Sequence, residues 1–342
     1  MKKLLLILLC LPMIGFGQVY IPDANFKAYL VGNTAINTNG DSEIQITEAA
    51  DFDGIINCSN MNISDLTGVE EFASLEEFYC DSNQITDLDL QQNTSLRRVG
   101  CSYSPNLTTV NVDNLGYLEY LFCENNDSLT YLSMRYASIY NGILFANLSH
   151  NNLQTIDWFG ADIWDLYCID NKLTSLNLQL MDFDGFLDCS ENLITNLIVG
   201  SSDIDVLVCS NNLITTLDIS NSEIDMFLVC NDNPYLTSLN IKNGENSEWL
   251  GFSALNTPLL TCITVDYVPY ADTAWTVANG SIDPQHYFST NCSGTTDIQE
   301  HYINNELLKV TDLLGREAKG TKNEVLFYIY DDGTVEKRIV IE

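Results

Sequence analysis

Eight cysteines, Cys58, Cys80, Cys101, Cys123, Cys168, Cys189, Cys209 and Cys230, follow one another at steps of 22, 21, 22, 45, 21, 20 and 21 residues. Thiols at a fixed interval could coordinate a metal, pair as disulfides, or serve as small apolar groups in a core. A second set of candidate ligands lies near the N-terminus. There Asn37, Asn39, Asp41 and Glu48 take positions one, three, five and twelve of an EF-hand-like loop, with Ile44 at eight. Oxygens at those offsets wrap a hard cation such as calcium, and Glu48 could close the site with both carboxylate oxygens. Two positions depart from the pattern: Asn37 stands where Asp is usual, and Ser42 where Gly makes the sharp turn. The alternative is an Asn/Gly-rich turn whose Glu48 caps a helix. For catalysis the chain offers His150, His286 and His301 but no nucleophile elbow, HExxH, P-loop or glycine fingerprint, so no enzyme is expected.

The elements that carry the cysteines are read from the same interval. Around each one runs the frame L-x-x-L-x-C-x-x-N-x-L, as in Leu75, Phe78, Cys80, Asn83 and Ile85, or Ile204, Leu207, Cys209, Asn212 and Ile214. Leu148 holds the same local setting inside the step of 45 residues. A period near 21 residues with this frame is the leucine-rich-repeat signature, and it predicts a β-rich solenoid of short repeats over 52–262. Each repeat is a strand, a turn and a return segment that cannot bury its apolar side alone; stacking makes one continuous core. Nine rungs from Cys58 to Cys230 and a degenerate one near Phe252 would span roughly 45 Å. The return segments, Leu173 to Leu178, Ile214 to Ile219 and Leu236 to Ile241, also alternate with period two, so extended runs and few helices are expected there.

Alternation sends Leu166 and Cys168 inward, and Asp165, Tyr167 and Ile169 outward. Stacked parallel strands point successive cysteines the same way about one strand spacing apart, which suits neither a converging metal site nor a disulfide. The eight are therefore expected as a ladder of reduced, buried thiols. The Asn three residues on, at Asn83, Asn126, Asn151, Asn171, Asn192, Asn212 and Asn233, closes the strand and is expected to bond backbone groups of the next rung. Met61 and Ser104 lack it, marking weaker rungs.

The chain opens with Lys2, Lys3, an apolar run from Leu4 to Ile14, and Gly15-Phe16-Gly17 before Gln18, the pattern of a signal peptide over 1–17. Cys10 invites a lipoprotein reading, which Leu9 opposes because a small residue belongs there. No other apolar run approaches the ~20 residues of a membrane helix. The net charge is −33. Between Gln18 and Thr296 the basic residues are Lys27, Arg97, Arg98, Arg135, Lys172 and Lys242. Nucleic acid is excluded as a partner, since it requires a basic face; a solvated acidic coat accounts for most of the charge.

The segments IPDANFKAYLVGNTAINTNGDSEIQITEA (Ile21 to Ala49) and NTPLLTCITVDYVPYADTAWTVANGSIDPQHYFSTNCSG (Asn256 to Gly294) resemble the entry and exit caps of secreted leucine-rich-repeat proteins of the Bacteroidota. The tail LLKVTDLLGREAKGTKNEVLFYIYDDGTVEKRIVIE (Leu307 to Glu342) is similar to the C-terminal sorting domains of type IX secretion. The resemblance implies secretion or display at the outer cell surface, with the type IX machinery as a partner of the tail. Independently of it, open solenoid ends need atypical covers. Over 18–51 a short helix from Ile21 to Val31 offers Phe26, Tyr29 and Leu30 on one face. Over 263–294, with Cys262 and Cys292 off the repeat register, an oxidising export route predicts one disulfide closing the cap, worth about 3 kcal/mol. In 295–342, Val325, Phe327, Ile329, then Val335, Ile339 and Ile341 across Asp332-Gly333, predict a hairpin in a small β module after a polar linker. Lys309, Arg316, Lys319, Lys322, Lys337 and Arg338 set its charge apart from the repeats.

The last candidate is the concave strand face. Tyr79, Tyr120, Phe122, Phe145, Tyr167, Phe186 and Phe227, with Val206, Val208 and Val229, fall on outward positions. Outward aromatics on a sheet need either a partner or one another. The expectation is a binding surface for a protein ligand in interaction or adhesion; the alternatives are a glycan ligand, in a carbohydrate-binding accessory protein, and a structural surface or matrix protein.

Overall fold

The computed structural model describes residues 17–140, 142–180, 182–244, 246–292, 307–311, 316, 325–330 and 335–339. The leader expected over 1–17 therefore lies almost wholly outside the described residues, as do the linker, His301 and the Asp332-Gly333 turn. The chain divides into two compact units, the second beginning at Ser293.

The first unit is a parallel β-solenoid. Its main sheet runs in the order Ile55–Asn57, Glu77–Tyr79, Arg98–Gly100, Tyr120–Phe122, Phe145–Asn147, Leu166–Tyr167, Asp182–Asp188, Asp203–Val208, Glu223–Val229 and Gly251–Ser253, with Asp162–Ile163 pairing with the start of Asp182–Asp188. Every pairing in it is parallel, and the pairs follow the repeat, as in Ile56↔Phe78 and Leu207↔Leu228, except at two irregularities in the later strands. The strands are three residues long where the frame alone dictates them; each central side chain, such as Phe78, Val99 or Leu121, is fully buried. The return segments build narrower parallel sheets, for example Asp87–Asp89, Thr109–Asn111, Tyr131–Ser133 and Thr155–Asp157. One buried cluster runs from Val19 to Phe288.

Between strand and return segment each rung turns through a residue with positive φ, including Ser82, Asn125, Glu191, Asn211 and Asp232. The buried Asn that follows ties the turns together. Asn192 Oδ1 accepts the Leu173 N–H at 3.0 Å, and its Nδ2 donates to the carbonyls of Cys168 (2.9 Å) and Cys189 (3.1 Å). Asn83, Asn171, Asn212 and Asn233 repeat the arrangement. The sequence reading sent these bonds to the next rung; they reach the preceding one. The side chain leaves the strand end beside its own cysteine carbonyl, and the carbonyl and amide it can span to are those one turn earlier. Ser104 does not break the ladder, because its Oγ accepts the Asn83 N–H at 3.3 Å and its N–H donates to Asn126 at 2.8 Å.

The entry helix is Ala24–Gly32, beginning later than Ile21 because Asp23 is its N-cap, accepting from Asn25 and Phe26 N–H. Phe26 and Leu30 are buried, and the Tyr29 hydroxyl accepts the Asn57 N–H at 2.9 Å on the first strand. Asp23 also accepts the Ser64 N–H and hydroxyl, locking cap to repeats. At the exit, the segment 263–294 is not only a cover. Tyr287–Ser289 continues a return sheet by pairing with Cys262–Thr264. Trp275, at the end of the helix Val268–Ala274, then plugs the open core, its ring 4.9 Å from Phe252 and 5.7 Å from Trp249. Cys262 and Cys292 form a disulfide with Cα atoms 5.8 Å apart. In the second unit, Leu307–Thr311, Val325–Tyr330 and Val335–Ile339 form an antiparallel sheet, Val325 pairing with Ile339 and Ile329 with Val335.

Candidate functional site: the strand face

The ladder fixes each strand of the main sheet, so the outward side chains on either side of each buried central residue stand at set positions. One outward row contains Phe186, Val206 and Phe227; another contains Tyr167, Asp188, Val208 and Val229. Rings along one strand and across neighbouring rungs form a chain of contacts. Tyr120 lies 6.3 Å from Phe122, Phe122 5.6 Å from Phe145, Phe145 5.3 Å from Tyr167, and Tyr167 4.8 Å from Phe186 in a stacked pair. Such contacts add to sheet stability. They do not close the surface: all seven expected aromatics keep solvent-exposed area, and Phe227 is 38% exposed.

Charge divides this face in two. In the earlier rungs Arg98 sits between Glu77 and Tyr120 in the sheet register. It pairs with Glu77 at 3.5 Å and lies over the Tyr120 ring at 4.9 Å, while the Tyr79 hydroxyl donates to Glu77 at 2.9 Å. In the later rungs the strands lengthen, and irregularities after Gly185 and after Ile204 shift the register. Gly185 is needed there: its φ is +126° and a Cβ would stand 2.9 Å from the Trp164 carbonyl oxygen. The added residues put Asp184, Asp203 and Glu223 in one row and leave Asp205 and Asp225 at the irregularity. Burial, then the neighbouring carboxylates, push the Asp203 and Asp205 carboxyls above the usual range. Burial followed by Asp165 and Asp188 pushes the Tyr167 phenol up as well.

Behind the face stand the cysteines. All eight are free and buried. Burial pushes the Cys58 and Cys230 thiols up to about 12 and those of Cys168, Cys189 and Cys209 well up, so these five are thiols and not thiolates at neutral pH. Cys58 and Cys230 thiols donate to the Tyr79 and Ser253 carbonyls of the following rung at 3.5 Å.

The loop from Asn37 to Glu48 uses its oxygens on itself. Glu48 Oε1 accepts from the Thr38 N–H and hydroxyl and the Asn39 N–H; Oε2 accepts the Gln45 N–H. Those donors outweigh burial and hold the carboxyl below its usual range. Asn37 Oδ1 accepts the Gly40 N–H, Asn39 Oδ1 the Asp41 N–H, and Asp41 Oδ1 the Glu43 N–H. With these bonds Gln45 and Glu48 form a capping box for Ile46–Asp51. Among the described residues no group of three or more His, Cys, Asp or Glu side chains is placed to hold a metal ion. His286, in the exit cap, is buried against Thr257, and burial lowers its pKa.

Sequence reasoning missed two surface features. The acidic row was invisible because the 21-residue frame does not show where a strand gains residues. The other lies in the loops, where Tyr117 meets Tyr140 at 4.9 Å in a tilted pair and Tyr136 meets Phe159 at 5.6 Å, with Trp164 48% exposed.

No family model matches the chain. Over 76 residues it is 36% identical to internalin J of Listeria monocytogenes, a match covering 22% of this chain and 8% of internalin J. Among solved structures it is similar to the functional domain of Listeria monocytogenes internalin J, which includes a cysteine ladder. That similarity is at 18% identity and TM-score 0.25, over 93% of this chain and 97% of the other. An internalin C2 of the same species aligns over 71% of this chain and 93% of its own, at 12% identity and TM-score 0.29. An internalin F aligns over 79% and 91%, at 13% identity and TM-score 0.28.

Proposed function

We propose that this leucine-rich-repeat solenoid is a secreted or surface-displayed binding protein that holds a protein partner on its long strand face, in interaction or adhesion. The observation that carries the reading is the chain of ring contacts from Tyr120 to Phe186, which remains partly open to solvent although the inward side already has a complete core. Rigid aromatic side chains give large contact area at little entropic cost, and an exposed apolar stripe of this length fits an interaction surface. The leader-like start and the sorting-like tail from Leu307 to Glu342 support export by the type IX route. Among the described residues no helix is long and apolar enough to cross a membrane.

The test is a pull-down from native surroundings with the chain as bait and Tyr167→Ala/Phe186→Ala as control. A partner captured by both proteins equally would defeat the reading. Aromatic platforms also suit sugar rings, and a glycan array separates a carbohydrate ligand from a protein one. Unchanged export after deletion of Leu307 to Glu342 would remove the sorting role of the tail.

A further inference from the structure

The later half of the strand face differs from the earlier half in one respect that bears on its partner. On the earlier half the chain supplies its own cation: Arg98 lies between a carboxylate and a ring, paired with Glu77 and stacked on Tyr120. On the later half the same ingredients recur without one. The apolar row Phe186, Val206, Phe227 runs beside Asp184, Asp203 and Glu223, with Asp205 and Asp225 at the irregularities between them. The ion pairs among the described residues involve none of these five acids.

Some acidic residues elsewhere in the solenoid have structural work. Asp65, Asp81, Asp113, Asp188 and Asp218 each accept a backbone N–H within a turn or across rungs. Among the described residues the five at the later rungs accept no such bond; in-register parallel strands instead hold Asp184, Asp203 and Glu223 about one strand spacing apart, where like charges repel. A sheet that places unpaired carboxylates beside exposed rings, at a cost to itself, is complementary to a ligand with positive charges and apolar side chains in alternation.

Resting on the strand-face reading above, we infer that the partner is a basic polypeptide segment. Its Lys or Arg side chains meet the carboxylates of Asp184, Asp203 and Asp205, and its apolar side chains pack on Phe186, Val206 and Phe227. Trp164, exposed at the head of the acidic row, offers a further ring for a cation.

The experiment uses the full chain and three labelled synthetic peptides of equal length, alternating Leu with Lys, with Gln or with Glu, followed by fluorescence anisotropy. The Lys peptide binds, the Glu peptide does not, and affinity falls at least about tenfold between ~0.05 M and ~0.5 M salt. The variant Asp184→Asn/Asp203→Asn/Asp205→Asn weakens binding about tenfold, from three pairs of ordinary exposed strength. A charge-matched control, Asp53→Asn/Asp127→Asn/Asp272→Asn, alters exposed acids outside these strands and stays within about twofold. Equal loss in the two triple variants would reduce the effect to diffuse charge and overturn the inference. So would equal binding of all three peptides, or binding to a glycan array that the acidic-row variant leaves intact. If Tyr167→Ala/Phe186→Ala loses the peptide and the acidic-row variant keeps it, the face survives as a docking surface and the basic partner falls; if neither change matters, both readings fall. Thermal melting reports folding separately, since removing mutual repulsion leaves the acidic-row variant at least as stable as the parent.

Discussion

Replacing Asn192 by Ala tests what holds the rungs together. The side chain is 5% exposed and makes four bonds: it accepts from Leu173 N–H and donates to the carbonyls of Cys168, Cys189 and Ser190. The losses are unequal. Cys168 keeps the Asn171 amide as a second donor at 3.2 Å, and Cys189 keeps the Asn212 amide at 3.0 Å. The Leu173 N–H is left with no partner inside the core, which costs about 1–3 kcal/mol, and each shared carbonyl bond adds about 0.5–1 kcal/mol. The sum is about 2–5 kcal/mol, a large share of the stability of a domain. Cys189→Ala, one position of the sulfur column behind the same strand, removes only a thiol's apolar contacts and should cost about 1 kcal/mol. Urea unfolding followed by circular dichroism compares the two. An Asn192→Ala loss below about 1 kcal/mol, or one no larger than that of Cys189→Ala, would mean that apolar stacking and not the amide ladder sets the rungs.

Four further outcomes follow from the same structure. Under native conditions a thiol reagent should modify none of the eight column cysteines, and all eight once the chain is denatured; prompt native reaction would place them at the surface. Cys262→Ala/Cys292→Ala should lower unfolding stability by about 3 kcal/mol, matched by reduction of the parent protein. Trp275→Ala, which unplugs the exit end, should cost about 3–5 kcal/mol, and a loss under 1 kcal/mol would reassign the closure to Phe252 and Phe288. The acid response has two opposing parts. Asp203 and Asp205 have raised carboxyls, so the folded chain holds protons that the unfolded chain has released; their penalty applies above the folded pKa and fades as pH falls through it toward 3.8. Asp23 and Glu48 have lowered carboxyls, so their stabilisation is present above the unfolded pKa and is lost as pH falls through the lower folded value. Asp203→Asn/Asp205→Asn should therefore raise the melting temperature at neutral pH and leave the acid-induced loss intact; a lower neutral Tm contradicts the sign.

The solenoid was legible because its constraint is periodic. A buried column needs the same residue type at the same point of every turn, so Cys58 through Cys230 and the asparagines behind them expose the rung length directly. Period-two alternation likewise placed Tyr167 and Phe186 outward. What escaped the reading is aperiodic. Trp275 closes the core from a segment that follows no frame, and its role depends on Trp249 and Phe252 reaching it from elsewhere. Gly185 gave no sign in the sequence that it permits a register shift, although that shift creates the acidic row.

The two layers of the main sheet therefore answer to different rules. Inward, most rungs repeat an apolar residue, cysteine and asparagine because their neighbours demand matching contacts; a change there is felt through at least two turns, as the shared carbonyls of Cys168 and Cys189 show. Outward, nothing in the fold requires Arg98 on one rung, Tyr120 on the next and Asp203 further along. Once the ladder holds the backbone, those positions are free to vary without cost to the core, and the proposed partner is read from the departures from neutrality there. The unpaired acids of the later rungs are the sharpest such departure, since they weaken the folded state that displays them.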